Sequence, residues 1–544
     1  MTSGAAARSD KGLGDAALSR LIAELIVVRA SGHLSDGQRR YPRWELTNRD
    51  LRSLLEEGVG GVILLGGSAP ELALRTRQLQ TWAGRPLLLC ADVEEGVGQR
   101  FEGASWLVPP LALGRLHAHA PRQALALAED YGRCTARDAR AVGLNWVLGP
   151  VCDVNNNPAN PVINVRAWGE DPATAGALAA AFIRGLQAEG VLGCAKHFPG
   201  HGDTSGDSHL ELPVLGHDRA RLEAVELPPF RSAIAAGVAA VMTAHLSLPA
   251  LDPQLPATLS PLVLTGLLRG ELGFAGLVVT DALVMEAIAC HYGAGEAAVL
   301  ALEAGADLVL MPADARAAID AIAAAVASGR LSRDRLEASA SRRRSTLAGL
   351  PEQGRTDADP WQAASPDAEL ARELVTATLE ARGRVRPLPA GGAGVNLIRV
   401  DQALHAPFLP TTAPALSAAA AAGFRPCLLA GDTASLWNGD AEAPLSLERL
   451  GEGPVLVQLF VRGNPFRGHA AGQEPWGAAL RQLLRADRLA GLAVYGSPYL
   501  WQQLLPLLPP EVPAAYSPGQ MPLAQQSVLA ALGVERGADG GFTD

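Results

Sequence analysis

The chain has 544 residues, of which 48% are hydrophobic and 5% aromatic, and its formal net charge at pH 7 is −10. Its length allows about two to four domains of ordinary size, and its apolar content is typical of a globular protein rather than a disordered one. The acidic balance disfavours nucleic acid as a partner, because phosphate binding needs a basic surface and the short arginine run in 341–344 is typical of a solvated helix face.

The N-terminal segment carries no targeting signal that we recognise. Charged residues at Arg20, Glu24 and Arg29 interrupt its apolar stretch, so we expect no signal peptide there. No apolar window approaches the length of about 18 residues that spans a membrane, so no membrane partner is expected. The six cysteines are far apart and form no CxxC pair: Cys90, Cys134, Cys152, Cys194, Cys290 and Cys427. Free, largely buried thiols in a reducing, cytoplasmic compartment fit this pattern.

Seven apolar segments before residue 313 predict β-strands, and stretches rich in Ala, Leu and Arg predict helices between them. In chain order the strand segments are 60–67, 86–96, 143–155, 191–202, 239–246, 276–285 and 306–312. This alternation predicts parallel pairing and is typical of a (β/α)8 TIM-type barrel in which one strand is irregular, missing or unassigned. Polar side chains follow these strands at their carboxyl ends, the face where barrel active sites lie: Asp92, Asp153, Lys196, His197, His245 and Asp281.

The pattern changes near residue 350. Residues 350–367 are rich in Pro, Gly and Asp and lack periodicity, which predicts an interdomain linker. Four strand segments with helices between them follow, at 394–401, 426–432, 453–464 and 489–498, and they predict a smaller open α/β sandwich. We therefore predict a catalytic barrel over 1–350, a linker over 351–370 and a C-terminal α/β domain over 371–544.

The run "KHFPGHGDTSGDSH" at 196–209 concentrates Lys, His and Asp side chains around three glycines. A metal site is disfavoured, because Pro199 and Gly200 prevent the helix that would align His197 with His201, and because Lys196 would place a positive charge beside any cation. A Schiff base on Lys196 is conceivable at a strand end, but it would leave the neighbouring Asp and His residues without a role. We expect neither a metal nor another cofactor.

Proton transfer to and from a sugar explains more of this run. Asp207 and His209 are two residues apart, so in an extended loop the carboxylate can orient the imidazole and raise its pKa. Glycosidic cleavage needs a further carboxylate on the opposite face of the sugar, and Asp281 lies at the end of another strand. Glycines at 200, 202 and 206 would allow the loop to move over a substrate. The alternative is that His209 caps a loop and Asp281 pairs with an arginine.

At this point the residues resemble a known family. Residues 196–213 closely resemble the signature of family 3 glycoside hydrolases, in the branch of β-N-acetylglucosaminidases whose acid/base is an Asp-His dyad. Four more segments resemble that family in its own order, at 90–103, 149–172, 241–253 and 276–288. The resemblance covers about 15–350 and is weaker beyond. It departs at Ala282, where many relatives have a second Asp, and at "VEEG" after Asp92, where a glycine-containing form is commoner.

The resemblance implies roles for individual residues. Asp281 would be the nucleophile and His209, held by Asp207, the acid/base of a retaining double displacement. The hydroxyls of the non-reducing sugar would be bound by Asp92, Arg166, Lys196 and His197, with Arg100 supporting Asp92. We expect Asp153 to cap a loop and His201 and Asp203 to shape one, and we leave His245 open between a direct and an indirect role.

The implied activity is that of an exo-acting, retaining β-N-acetylglucosaminidase acting on a carbohydrate substrate, in the cytoplasm and as a monomer or homodimer. The family role is the trimming of N-acetylglucosamine from muropeptides in peptidoglycan recycling. A β-glucosidase or a β-glycoside phosphorylase is the alternative, since a histidine acid/base would not repel an anionic acceptor such as phosphate. A catalytically silent sugar-binding or regulatory protein is the alternative outside enzymes.

Overall fold

The structure is a computed structural model, and it describes residues 16–204, 206, 208, 210–351, 367–400, 409–429, 436–462 and 474–534. The chain divides into two compact units. The first comprises Met1–Trp106, Leu113–Asn157 and Arg166–Asp367, and the second comprises Leu107–Ala112, Pro158–Val165 and Ala368–Asp544. Two short segments of the N-terminal half therefore cluster with the C-terminal residues. Most of the predicted linker, 352–366, lies outside the described residues.

Eight parallel strands form the centre of the first unit. They are β1 (Ile26–Ser31), β2 (Gly61–Leu65), β3 (Leu88–Ala91), β4 (Trp146–Val147), β5 (Cys194–Phe198), β6 (Ala240–Thr243), β7 (Leu277–Val279) and β8 (Val309–Leu310). One sheet has the order β4-β3-β2-β1-β8 and another the order β5-β6-β7. Parallel bridges from Trp146 to Leu192 and from Val279 to Leu308 join the two sheets at both edges. The strands thus follow one another as in a (β/α)8 barrel, which confirms the predicted fold class.

The strand that the sequence analysis left unassigned is β1. Its apolar run is interrupted by Arg29, which is unusual in a strand buried on both faces. The Arg29 guanidinium lies 5.2 Å from the ring centre of Tyr41 and 5.8 Å from that of Trp44, and 3.8 Å from the carboxylate of Glu45. These contacts compensate the buried charge, so an arginine is compatible with a barrel strand here.

Helices separate the strands, and side chains that cap their first turns explain where several of them begin. Thr47, Ser68 and Asp171 each accept a hydrogen bond from a backbone amide three residues later. The helices of the first 351 residues are 16–23, Asn48–Glu57, Ala69–Ala83, Leu111–His117, Pro121–Ala141, Pro172–Ala188, Arg219–Arg221, Pro228–Ala235, Glu286–Ala289, Ala294–Ala304, Ala315–Ala327 and Arg333–Ala348, with π-helices at Leu222–Glu226 and Leu262–Glu271.

The barrel interior is a packed apolar core. Side chains from all eight strands or their ends fill it, including Val27, Ile63, Leu88, Trp146 and Cys194. Cys90, Cys134, Cys152 and Cys194 are free and buried as predicted, whereas Cys290 is exposed. A filled barrel leaves no channel, so a ligand site must lie at the ends of the strands. Across the described residues, no helix has both the length and the apolar character needed to cross a membrane.

The second unit is built on one six-stranded sheet. Its strands are β9 (Glu380–Arg382), β10 (Gly394–Val400), β11 (Phe424–Leu429), β12 (Val455–Val461), β13 (Leu489–Gly496) and β14 (Ala514–Ser517), in the order β11-β10-β12-β13-β14-β9. Only the pairing of β9 with β14 is antiparallel. Alternate residues of β12 enter two different apolar clusters, so both sheet faces are covered, as in an α/β sandwich. The helices of this unit are Ala368–Thr378, Pro414–Ala421, Leu447–Leu450, Trp476–Arg485, Pro498–Leu504 and Pro522–Ala531.

Candidate active site

A buried lysine brings together the carboxyl ends of β3 and β5. The Lys196 ammonium lies 2.7 Å from Asp92 Oδ1 and 2.7 Å from Glu94 Oε1. Its side chain is 2% exposed, whereas that of Asp92 is 38% exposed. Burial opposes the charge of Lys196, but the two carboxylates outweigh burial and raise its pKa to about 12. The lysine is therefore a fixed positive charge beneath a solvent-facing carboxylate.

Glu94 is a site residue that the sequence analysis did not single out. Arg166 binds it in a bidentate manner, with Nε and Nη2 each donating at 2.8 Å. Burial alone would raise the pKa of Glu94, but the charges and hydrogen bonds of Arg166 and Lys196 hold that pKa well below its ordinary value. A signal was available, because Asp92 and Glu94 are two apart and project to the same side of an extended segment.

The resulting cluster alternates charge: Asp92, Lys196, Glu94 and Arg166 form a continuous chain of ion pairs. Arg100 contacts Asp92 through the backbone, since its Nε donates to the Asp92 carbonyl oxygen at 3.0 Å. Interleaved donors and acceptors of this kind suit vicinal hydroxyl groups, each of which can donate one hydrogen bond and accept others.

Asp153 and His197 form a second buried pair beside the cluster. His197 Nδ1 donates to Asp153 Oδ2 at 2.7 Å, and the backbone amide of His201 donates to Asp153 Oδ1 at 2.7 Å. Burial raises the pKa of Asp153, but the neighbouring histidines outweigh it and lower that pKa. Asp153 thus caps the loop, as expected, and it also orients the His197 ring so that Nε2 is the edge available to a ligand.

The loop after β5 is held by close packing at its start. A Cβ on Gly202 would lie 1.8 Å from the Val154 carbonyl oxygen, and one on Gly200 would lie 2.8 Å from the Glu226 Cβ. These glycines therefore allow a close approach of chain segments, which is a reason for glycine at Gly200 and Gly202 besides the loop movement expected from the sequence. The proposed acid/base pair, Asp207 and His209, lies outside the described residues.

Asp281 follows β7 and is partly exposed. Its backbone amide donates to Thr243 Oγ1 at 3.3 Å, and its Oδ1 accepts the amide of Ala282 at 2.7 Å. His245, left open above, supports this segment: its Nε2 donates to the Ala282 carbonyl at 3.0 Å, while its Nδ1 lies 2.8 Å from Thr258 Oγ1. Residues at the end of β6 therefore hold the backbone that carries the proposed nucleophile.

Asp281 lies on the same face of the barrel as the charged cluster. It follows β7 closely, Asp92 directly follows β3, and Lys196 lies on β5. The carboxyl ends of parallel barrel strands share one face, and this is the face predicted from the sequence to carry the site.

The described residues contain one group with the composition of a metal site. Ligand atoms of Asp203, His217 and Glu226 all lie within 4.8 Å of one another. Arg221 Nη2 lies 3.2 Å from Asp203 Oδ2 and 3.2 Å from Glu226 Oε1. An arginine thus already supplies the positive charge that these carboxylates require, which disfavours a cation in the same place.

Comparison with known proteins shows the family to which the chain belongs. Residues 18–345 match the N-terminal domain of glycosyl hydrolase family 3, and residues 389–533 match the bacterial C-terminal domain of that family. The chain belongs to glycosyl hydrolase family 3. This confirms the resemblance drawn from the sequence, and it makes the protein a glycoside hydrolase whose substrate is a carbohydrate.

Individual family 3 relatives carry hexosaminidase names. A β-hexosaminidase of Stenotrophomonas maltophilia is 39% identical over 271 residues, which cover 49% of this chain and 80% of that protein. The solved family 3 β-N-acetylglucosaminidase from Paenibacillus sp. is 30% identical with a TM-score of 0.72, covering 95% of this chain and 97% of that one. A solved β-glucoside phosphorylase has a TM-score of 0.72 at 19% identity over 95% of this chain and 92% of its own, a likeness of fold alone.

Proposed function

We propose that this glycoside hydrolase is an exo-acting, retaining β-N-acetylglucosaminidase that removes terminal non-reducing N-acetylglucosamine. The observation that carries the proposal is the chain of ion pairs from Asp92 through Lys196 and Glu94 to Arg166 at the end of the barrel where Asp281 also lies. The hexosaminidase names of the most similar relatives support the choice of an N-acetylated sugar.

The charged cluster would bind the hydroxyls of the terminal sugar. Asp92 presents a carboxylate that accepts two hydroxyl hydrogen bonds, and Lys196 and Arg166 donate to hydroxyl oxygens from fixed positions. His197, oriented by Asp153, adds a donor or acceptor at Nε2. Because all of these groups are already paired and fixed before the sugar arrives, little ordering is needed on binding.

The reaction would proceed by two displacements at the anomeric carbon. Asp281 attacks that carbon while His209 gives a proton to the departing oxygen, and the aglycone leaves as an alcohol. Water then attacks the glycosyl ester, with His209 removing its proton, and the carboxylate of Asp281 is regenerated. Asp207 would orient the His209 imidazole and stabilise its charged form.

We further propose that the natural substrates are cell-wall muropeptides and that the enzyme acts in the cytoplasm. The six free cysteines suit a reducing compartment. The muropeptide assignment rests on the family role implied by the sequence resemblance.

The first test is a comparison of initial rates on an aryl β-N-acetylglucosaminide and the matching aryl β-glucoside, with a chelator present throughout. We expect faster cleavage of the N-acetylated substrate and a loss of roughly a thousandfold or more in kcat for Asp281→Asn. Asp130→Asn is the matched control, because Asp130 forms a surface ion pair with Arg133 and its loss should leave the rate unchanged. Equal or faster cleavage of the glucoside, or an unimpaired Asp281→Asn, would refute the proposal.

A further inference from the structure

A second ion-pair cluster lies outside the sugar-binding group, and we call it the Arg221 clasp: Asp203, His217, Arg221 and Glu226. Arg221 Nη2 donates to Asp203 Oδ2 and to Glu226 Oε1, at 3.2 Å each. His217 Nε2 donates to the same Asp203 oxygen at 2.8 Å. Glu226 is 3% exposed and Asp203 is 22% exposed, so the pairs are partly shielded from water. Shielding makes such pairs stronger than ordinary surface ones.

Arg221 connects three segments of the chain. Asp203 belongs to the loop after β5, and Glu226 ends the π-helix Leu222–Glu226. Arg221 also contacts the loop after β4, through the side-chain amide of Asn156. In the orientation that gives both the oxygen and the nitrogen of this amide a partner, the oxygen accepts a hydrogen bond from Arg221 at 2.6 Å and the nitrogen donates to the Val154 carbonyl. One guanidinium therefore fixes two active-face loops against a helix.

Close backbone packing joins the same segments that Arg221 connects. Gly202 packs against the Val154 carbonyl, and Gly200 packs against Glu226. Glu226 is itself a partner of Arg221, and the Val154 carbonyl accepts a hydrogen bond from Asn156, another partner of Arg221. Asp203 precedes Asp207 and His209 in this loop by four and six residues, and His201 contacts Thr204 and Ser208 of the same loop through Nδ1 and Nε2. The clasp therefore holds the part of the chain from which the proposed acid/base pair follows.

From this geometry we infer that Arg221, with Asp203 and His217, positions the acid/base loop for catalysis. The inference rests on the proposed function, because it takes His209 as the group that protonates the departing oxygen. Arg221 is a positioning residue: it acts through the loop. The two carboxylates need a cation that contacts both, and Arg221 does so through Nη2.

The loss of activity on substitution of Arg221 should depend on whether the leaving group of the substrate must be protonated. An alcohol leaving group, as in N,N′-diacetylchitobiose, departs only when protonated, and general acid catalysis contributes about 10²- to 10⁴-fold. A 2,4-dinitrophenolate departs without protonation. Displacement of His209 therefore lowers kcat/KM for the first substrate and leaves it nearly unchanged for the second, whereas a general loss of structure lowers kcat/KM for both.

The experiment compares kcat/KM on N,N′-diacetylchitobiose and on 2,4-dinitrophenyl β-N-acetylglucosaminide for wild type, Arg221→Met, Arg221→Lys and Asp203→Asn. This parameter reports the first displacement, in which the acid acts. We expect Arg221→Met to lose about a hundredfold on chitobiose and less than about threefold on the dinitrophenyl substrate, since small misplacements of a catalytic group cost this much. Arg221→Lys should recover part of the loss.

Arg219→Met is the matched control. Arg219 lies on the same short helix as Arg221, Arg219–Arg221, but it pairs with the surface residues Glu223 and Glu271. It should retain wild-type kcat/KM on both substrates. If Arg221→Met proves too unstable to assay, Asp203→Asn gives the same comparison with a side chain of equal size.

Two results would overturn the inference. Equal losses on the two substrates would make the clasp a stabilising element alone, and wild-type values for both Arg221→Met and Asp203→Asn would make it irrelevant to the reaction. A wild type that cleaves neither N-acetylglucosaminide would instead refute the proposed function, and the inference with it; this failure is distinguishable because it appears before any variant is made.

Discussion

At the scale of single residues, Glu94 organises the charges of the site. Two cations, Lys196 and Arg166, share its buried carboxylate, and Lys196 in turn holds Asp92. With Glu94 the four charges sum to zero. Without it, the cluster would carry an uncompensated positive charge, and breaking a buried pair in this way costs about 3–5 kcal/mol.

We therefore predict that Glu94→Gln lowers both kcat/KM and stability. The amide keeps the shape of the carboxylate but cannot hold both cations, so Lys196 and Arg166 should shift and kcat/KM should fall about a hundredfold. Steady-state assays and thermal unfolding check this, with Glu129→Gln as the control, because Glu129 is partly exposed and pairs with Arg133 and Arg184 on the surface. A Glu94→Gln enzyme within about threefold of wild type would show that the cation positions do not depend on Glu94.

The sequence predicted which residues belong to the site better than it predicted which of them contact each other. Lys196 and Asp92 were found because each follows an apolar run, and their contact at the barrel end follows from the rule for parallel strands. The pairing of His197 with Asp153 joins residues 44 positions apart, and no local pattern encodes it. Glu94 escaped notice although its spacing from Asp92 is the same as that which drew attention to Asp207 and His209.

At the scale of elements, the loop after β5 is a fixed structure along its described part. His201 lies inside it, with Nδ1 2.7 Å from Thr204 Oγ1 and Nε2 3.0 Å from Ser208 Oγ. Burial lowers the pKa of His201 from 6.5 to about 4. The folded loop thus holds a neutral histidine that the unfolded chain would protonate between these two values.

A pH dependence of stability follows from this shift. Between pH 6.5 and about 4 the unfolded state binds more protons at His201, so the folded state loses stability as the pH falls, by up to about 3 kcal/mol. His201→Gln removes this titration, so the stability difference between wild type and variant should shrink from pH 7 to pH 4. Unfolding measured at several pH values tests this. Parallel wild-type and variant curves would contradict it, and the exposed His119 provides a control His→Gln variant.

Elements were predictable where the apolar pattern was continuous. The seven predicted barrel strands are all present, while β1 was missed because Arg29 breaks its run and because its compensating partners, Tyr41 and Trp44, lie beyond the strand. The packing role of the loop glycines could not be predicted from the sequence. A glycine that permits motion and a glycine that permits close packing look alike in a sequence, and only the neighbour at Val154 or Glu226 distinguishes them.

At the scale of the whole molecule, the chain combines a barrel unit with a unit built on one six-stranded sheet. Four adjacent parallel strands of the second unit, β10 to β13, were predicted from their apolar runs. The strands β9 and β14 were not, because their sequences, Glu-Ala-Arg and Ala-Ala-Tyr-Ser, contain no run of large apolar residues. The grouping of 107–112 and 158–165 with the second unit depends on contacts between distant segments, which one sequence does not encode.

The central claim is a covalent glycosyl intermediate on Asp281, and trapping it is the most direct test. The full-length enzyme would be incubated with a slowly turned-over fluorinated N-acetylglucosaminide, digested, and analysed by mass spectrometry. The account predicts one added glycosyl group, on a peptide containing 276–288 and located at Asp281, with no adduct in Asp281→Asn. A sugar attached to any other residue, or a first product of inverted anomeric configuration, would contradict the account.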